Sequence, residues 1–191
     1  MTTKNTLALF DFDGTLYKKD SLMAFTKFAK GNYVFYTGML WLLPKLIGMK
    51  LGILKNEAVK TAFVTHFFKG MDSEQFRWLG KNFALQKIDG DLNSKIKADF
   101  LKHIASGHVV CIVSASFPEW IEPWSIQYGV KVIGTNVEVA DGKLTGKLAS
   151  KNCFGIEKTN RIKAILNMDE FESVCVYGSG KGDLEMLRLA T

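Results

Sequence analysis

Residues 6–16 read TLALFDFDGTL, an apolar run that ends in the polar cluster Asp11-Phe12-Asp13-Gly14-Thr15. Thr6 to Phe10 reads as a buried strand. In an open parallel sheet, ligands bind beyond the carboxyl ends of the strands. The cluster after this strand is therefore the first place to look for chemistry. Two carboxylates one residue apart on an extended chain project to the same side. Like charges that close need a cation or a proton to compensate them. A hard cation such as Mg²⁺ suits oxygen ligands. One carboxylate can then attack phosphorus while the other handles the proton of the leaving group. Gly14 frees the backbone, so peptide N–H groups can face phosphate oxygens. An acid-rich turn after a strand is the plain alternative.

Working outward, the pattern from Lys18 to Leu85 is helical. LMAFTKFAK, the apolar block from Val34 to Leu54, NEAVKTAFVTHFF and DSEQFRWLGKNFAL all lack strand alternation. Asp72 or Ser73 is the expected N-cap of the last. DLNSKIKADFLKHIA continues as helix, and HVVCIVSAS is a second strand entering a turn. FPEWIEPWSIQYG is helical, VKVIG is a strand, and TNVEVADGKLTGKL is a hairpin about Asp141-Gly142. GIEKTNRIKAILN, SVCVYG and DLEMLRLA complete the chain as helix, strand and helix. Alternating strands and helices imply an α/β class: a Rossmann-like three-layer core with a parallel sheet, and here also a small β-hairpin. The long helical stretch after the first strand is too much for one crossover and reads as an inserted cap. The expected domains are a core of 1–16 and 87–191 and a helical cap of 17–86.

The 191-residue chain is 47% hydrophobic and 23% charged, which excludes a disordered chain and suits one core domain with a small insertion. The formal net charge is +6, and Lys supplies nearly all the basic residues. That excess attracts anions, phosphoesters included, or serves solubility alone. Arg77, Arg161 and Arg188 are scattered, and no basic and aromatic stripe points to nucleic acid. Cys111, Cys153 and Cys175 form no close pairs, which argues against a disulfide framework and for a reducing, cytoplasmic setting. The start, Met1 to Asn5, lacks the apolar core of a signal peptide. Tyr33 to Leu54 approaches the length of a membrane span, but Pro44, Lys45 and Lys50 interrupt it. It is expected to form one or two buried or surface-docking helices, with membrane-surface contact the lesser alternative. Most of the cap aromatics, Phe25, Phe28, Tyr33, Phe35, Tyr36, Trp41, Phe63, Phe67 and Phe68, are expected in its core. His66 is expected to pack or to be partly exposed, His103 to be solvated, and His108 to lie away from the site.

FDFDGTL resembles the first signature of the haloacid-dehalogenase superfamily, and three further signatures follow in order. CIVSAS resembles the second, with Ser114 in the phosphate-binding hydroxyl position and Ala115 beside it. NCFGIEKTNRI resembles the third, with Lys158 as the phosphate-binding lysine. VYGSGKGDLEML resembles the fourth, with Asp183 as its closing acid. The resemblance covers essentially the whole chain and is strongest to the phosphoserine-phosphatase-like subgroup, which carries a helical cap after the first strand. It implies a Mg²⁺-dependent phosphatase acting through an aspartyl-phosphate on a small phosphorylated metabolite. Asp11 is then the nucleophile. Asp13 is general acid/base through its side chain and metal ligand through its carbonyl. Ser114 and Lys158 hold the phosphate. Thr15 is expected to bond Asp13 or a neighbouring loop.

One departure stands out. The fourth signature usually reads Gly-Asp-x-x-x-Asp, and here Ser179 replaces the first acid. A neutral hydroxyl is a weaker Mg²⁺ ligand than a carboxylate. The implied metal set is Asp11, Asp13, Ser179 and Asp183, with activity expected at weaker metal affinity. A catalytically weak binder or membrane-surface adaptor is the alternative from another class, and a phosphotransferase the alternative on the same fold. Asp20 occupies the position where phosphoserine-specific members carry an acid for the substrate amine; a helix N-cap is its other reading. Such a pocket also wants an arginine, and Arg77 reads as a surface residue. The expected substrate is therefore phosphoserine-like or a more apolar phosphoester. The chain stops soon after the fourth signature, where sheets of this kind often add a strand.

Overall fold

The computed structural model describes residues 5–191, so the reading of Met1 to Lys4 lies outside the described residues. The strands are β1 (Thr6–Phe10), β2 (Val109–Val113), β3 (Lys131–Ile133), β4 (Val137–Ala140), β5 (Lys143–Leu148) and β6 (Ser173–Tyr177). The helices are α1 (Ser21–Lys50), α2 (Asn56–Phe68), α3 (Ser73–Phe83), α4 (Ser94–Ala105), α5 (Pro118–Ser125), α6 (Ile156–Ile165) and α7 (Leu184–Leu187). Four strands form one sheet in the order β3-β2-β1-β6, all parallel. β4 and β5 form a separate antiparallel pair.

β1 is apolar at alternate and at successive positions because it is covered on both faces. Leu7 and Leu9 face one cluster, with Cys111, Val113, Ile162 and Met186. Ala8 and Phe10 face the other, with Ile112, Phe100, Trp120 and Trp124. The sheet thus lies between α6 and α7 on one side and α4 and α5 on the other, in three layers. β1 is flanked by β2 and β6, which brings the loops after all three strands to one edge.

The hairpin turns where expected: Asp141 and Gly142 both have positive φ, 49° and 73°. A two-residue turn of that hand matches the twist of its strands. The pair leans on the helices after β1. Thr65 Oγ1 donates to Gly146 O at 2.8 Å, and Ser73 N donates to Gly142 O at 2.8 Å. A Cβ at Gly146 would come within 2.9 Å of Thr65 Cα. Asp72, rather than Ser73, caps α3, accepting from Glu74 N and Gln75 N.

α1 is broken at Gly31, whose φ of 79° and ψ of 163° are not helical. Its second half rests on α2 through Phe35, Gly38 and Leu42. At Gly38 any Cβ would run into the Phe67 ring and His66. No helix is long and apolar enough to cross a membrane among the described residues. Phe25, Phe35, Phe63, Phe67 and Phe68 are buried, but Tyr33, Tyr36 and Trp41 stand exposed, because α2 covers only one stripe of α1. His66 is exposed too, stacked on Trp41 with ring centroids 4.9 Å apart. His103 is buried, not solvated, and its ring nitrogens lie 2.7 Å from His108 Nδ1 and 3.1 Å from the Tyr177 hydroxyl.

Candidate active site

The chain leaves β1 at Asp11, whose N–H still pairs with Tyr177 O at 2.8 Å. Its side chain is buried. One carboxyl oxygen, Oδ1, lies 2.6 Å from Lys158 Nζ, and Oδ2 accepts from Thr15 Oγ1 at 2.9 Å. Lys158 comes from α6, reaches across the sheet edge and is 2% exposed. Its ammonium also donates to Asp183 Oδ1 at 2.6 Å and to Val113 O at 2.9 Å. All three of its protons are thus engaged. Asp183 Oδ2 accepts from the backbone N–H groups of Ser179 and Gly180 at 3.0 and 2.8 Å. Both oxygens of Asp183 are in use, so the acid acts on Asp11 through Lys158.

Burial alone would pull the Lys158 ammonium down, but Asp11 and Asp183 override it and hold its pKa above the ordinary value. Burial pushes the Asp11 carboxyl up; Lys158 opposes the rise and Asp183 adds to it. The cluster formally sets two carboxylates against one ammonium, leaving one buried negative charge to compensate.

Asp13 turns to a second set of partners. Its Oδ1 accepts from Ser21 N at 2.8 Å, at the start of α1, and its Oδ2 accepts from Ser116 Oγ. A chain of donors holds this arrangement. Trp120 Nε1 donates to Ser21 Oγ at 2.9 Å, and Ser21 Oγ donates to Ser116 Oγ at 3.0 Å. One edge of Asp13 reaches solvent, yet the carboxyl lies deep among protein atoms. Burial first, then the charge of Asp20, pushes its pKa up to about 7, while the Ser116 and Ser21 donors oppose the rise. A carboxyl poised there can both give and take a proton near neutrality.

Both acids line one cavity of about 280 Å³, together with Asp20, Ser114, Ala115, Lys158 and Asp183. Ser114 Oγ accepts from Ser116 N at 2.9 Å, which leaves its own proton to donate into the cavity. Asp20 does cap α1, accepting from Met23 N at 2.9 Å, while also lining the cavity. Thr15 bonds Asp11 and Ser179, at 2.9 and 3.0 Å, rather than Asp13, because Asp13 points to α1. Gly14 has the positive φ its turn requires, 77°, but its own N–H pairs with Tyr17 O at 2.7 Å. The Gly14 amide is thus engaged within its own turn. Ser179 is exposed, and its hydroxyl donates to Gly14 O at 3.1 Å.

Sequence reasoning missed Ser116, Ser21, Trp120 and Lys60. Ser116 alone had a local signal: it lies two residues from Ser114 in the same strand-end segment. Lys60 comes from α2, lines the cavity and is held by Ala115 O and by Asn152 Oδ1 at 3.2 Å. Burial lowers its pKa to about 8, against the pull of Asp13 and Asp20. The facing wall is apolar, formed by Leu22, Met23, Leu46, Met49, Val59 and Phe63.

The oxygens beside Asp11 fit a hard cation. Asp11 Oδ2, Thr15 Oγ1, Ser179 Oγ and Gly14 O follow one another at 2.9, 3.0 and 3.1 Å. They offer one carboxylate among neutral oxygens, a set that suits Mg²⁺ when waters and substrate oxygens complete the shell. No group of three or more His, Cys, Asp or Glu side chains gathers as a metal cage among the described residues.

A family model described as haloacid dehalogenase-like hydrolase matches residues 8–188. The protein CicA of Caulobacter vibrioides is 33% identical over 186 residues, covering 96% of this chain and 82% of that protein. A probable phosphatase of Mycobacterium tuberculosis is 29% identical, covering 95% of this chain and 65% of that one. Among solved structures, a Bordetella pertussis protein of unknown function superposes with a TM-score of 0.83 at 21% identity, over 99% of this chain and 88% of its own. A phosphoserine phosphatase solved as a phospho-aspartyl intermediate analogue gives 0.70 at 20% identity, over 98% and 84%. These likenesses between structures establish a shared fold.

Proposed function

Because this chain belongs to the haloacid dehalogenase-like hydrolase family, we propose that it is a phosphomonoesterase in which Asp11 is the nucleophile. The observation that carries this reading is the Asp11–Lys158 pair at 2.6 Å, set at the end of the central strand in a cavity that also holds Asp13 and Ser114. A carboxylate beside an ammonium stays available for attack, and the same ammonium offsets charge on the phosphoryl oxygens.

In the first step an Asp11 oxygen bonds to phosphorus and the ester P–O bond breaks. Asp13, protonated, gives its proton to the departing oxygen. In the second step Asp13, now a carboxylate, takes a proton from water as that water attacks phosphorus. The acyl-phosphate bond breaks, inorganic phosphate leaves, and both acids return to their starting states. Lys158 and the Ser114 hydroxyl hold the phosphoryl oxygens through both steps. Asp183 is a positioning residue that fixes the Lys158 ammonium. Mg²⁺ is the expected ion; Asp11, the Asp13 carbonyl and Ser179 would hold it, and it would supply positive charge to neutralise the phosphoryl oxygens. Asp183 would join it only by giving up an existing bond.

The cap is taken as 17–86 and the core as 1–16 with 87–191. The wall from α1 and α2 favours a phosphoester with an apolar body over a compact polar one, because Leu22, Met23, Leu46, Met49 and Phe63 give a polar group nothing to bond. Lys60 is the cation there that meets a second anionic group. The test is a panel of phosphoesters, from phosphoserine and sugar phosphates to lysophosphatidate, with labelled phosphate and acid quench. Label on Asp11 and none on Asp11→Asn, with that variant folded and inactive, supports the reading. Turnover retained by Asp11→Asn would overturn it, and preference for the most polar ester would overturn the substrate class.

A further inference from the structure

The second half of α1 is apolar on the side that nothing covers. Tyr33, Tyr36, Leu40, Leu43, Ile47 and Leu51 recur three or four positions apart, so they share one face. That face is opposite the stripe of Phe35, Gly38 and Leu42 that rests on α2. Tyr33 is 81% exposed, Leu40 71% and Leu51 68%. A helix apolar all round is expected inside a core or against lipid, and this one lies on the surface. Beyond it, Ile53 and Leu54 in the loop before α2 are exposed as well.

The charge around the patch selects its occupant. From Ser21 to Asn56 there is no Asp or Glu, whereas Lys27, Lys30, Lys45, Lys50 and Lys55 are all present. Lys45 Nζ lies 5.9 Å from the Trp41 ring centroid and Lys27 Nζ 5.0 Å from that of Tyr36. An apolar face with tyrosines along it, an exposed Trp41 beside it and lysines nearby matches the layered chemistry of a bilayer surface: rings at the interface, ammonium groups among anionic headgroups. A second copy seated on the same face would bring lysines against lysines. Among the described residues no helix is long and apolar enough to cross a membrane.

We propose that the outer face of α1 docks on an anionic lipid bilayer, lying in its surface without crossing it. The inner face of the same helix turns Leu46 and Met49 into the catalytic cavity, so docking places that cavity next to the lipid. The docking itself does not depend on the phosphatase reading.

The full chain is tested by flotation with vesicles of phosphatidylcholine alone and of phosphatidylcholine mixed with phosphatidylglycerol. Binding is expected to the mixed vesicles, at least about tenfold weaker to the neutral ones, and weakened by high salt. Lipids brominated along their chains should quench Trp41. The triple variant Leu40→Gln/Leu43→Gln/Ile47→Gln should lose binding, and Lys45→Glu/Lys50→Glu/Lys55→Glu should lose it more than tenfold. Both sets change exposed side chains outside the cavity, so far-ultraviolet circular dichroism and hydrolysis of a soluble ester should be unchanged. No binding to anionic vesicles, equal binding by the apolar triple variant, or a dimer that this variant splits without any vesicle binding would each overturn the proposal.

Discussion

Replacing Lys158 by Met keeps the length of the side chain and removes its charge. The ammonium sits 2% exposed, with Asp11, Asp183 and Val113 O as its three acceptors. Without it two buried carboxyl groups face one another across an apolar gap. Breaking a buried pair by removing one partner costs about 3–5 kcal/mol. At roughly 2–4 °C per kcal/mol for a chain of this size, the melting temperature should fall by roughly 6–20 °C. The loss must also depend on pH. Asp11 already titrates above its ordinary value in the folded chain, and removing Lys158 raises it further. A carboxyl whose folded pKa exceeds its unfolded value, about 3.9, makes the native state bind more protons between the two values. Stability then falls as pH rises, by about 1.4 kcal/mol for each unit of upward shift. The deficit of Lys158→Met against the native chain should therefore grow as pH rises. Urea unfolding in the presence of chelator, read by the fluorescence of the buried Trp120 and Trp124, measures it. Adding Asp183→Asn, which removes the second buried carboxyl, should recover part of the loss. Phosphatase activity should drop by about two to three orders of magnitude, the scale of losing one preorganised donor. A deficit that is constant from pH 5 to pH 8, or none at all, would refute the buried-charge account.

Two further outcomes are expected. With a substrate whose leaving group needs protonation, kcat/KM should decline above about pH 7, where Asp13 loses its proton. Ser116→Ala removes a donor that favours the ionised form and should move that limb to higher pH; Asp20→Asn removes a charge that favours the protonated form and should move it lower. A limb that both variants shift in the same direction counts against Asp13 as the acid. Chelation should silence the enzyme, and Ser179→Asp should lower the Mg²⁺ concentration for half activity by on the order of tenfold, since affinity follows the number of charged ligands. Mg²⁺ titration of both chains decides this, and unchanged half-activation would remove Ser179 from the ion's shell.

Much of the fold was legible because its signals are local. Thr6–Phe10 and Val109–Val113 are continuous apolar runs, as strands covered on both faces must be. Asp141-Gly142 supplies the backbone its turn needs. Strand ends pointed to Asp11, Ser114 and Asp183 for the same reason: a parallel sheet collects such ends on one edge. Trp120, Ser21 and Ser116 gave no comparable warning as a unit. They come from α5, α1 and the loop after β2, and only packing joins them to Asp13. Lys60 looked like any other lysine on a helix until α2 was seen to cover the cavity. Most of the cap aromatics are buried as expected, but Tyr33, Tyr36 and Trp41 are not. Periodicity placed them on a helix, but which of them are covered depends on where α2 lies.

By itself the sequence determined the alternation of strand and helix, the turn residues and the acids at the strand ends, because each is dictated within a few residues by backbone conformation and apolar period. Only the tertiary structure decided that Lys158 lies between Asp11 and Asp183, that Asp13 turns away to Ser21 and Ser116, and that one face of α1 remains bare. Those facts set pKa values and exposure, and both depend on desolvation and on charges brought close from distant parts of the chain.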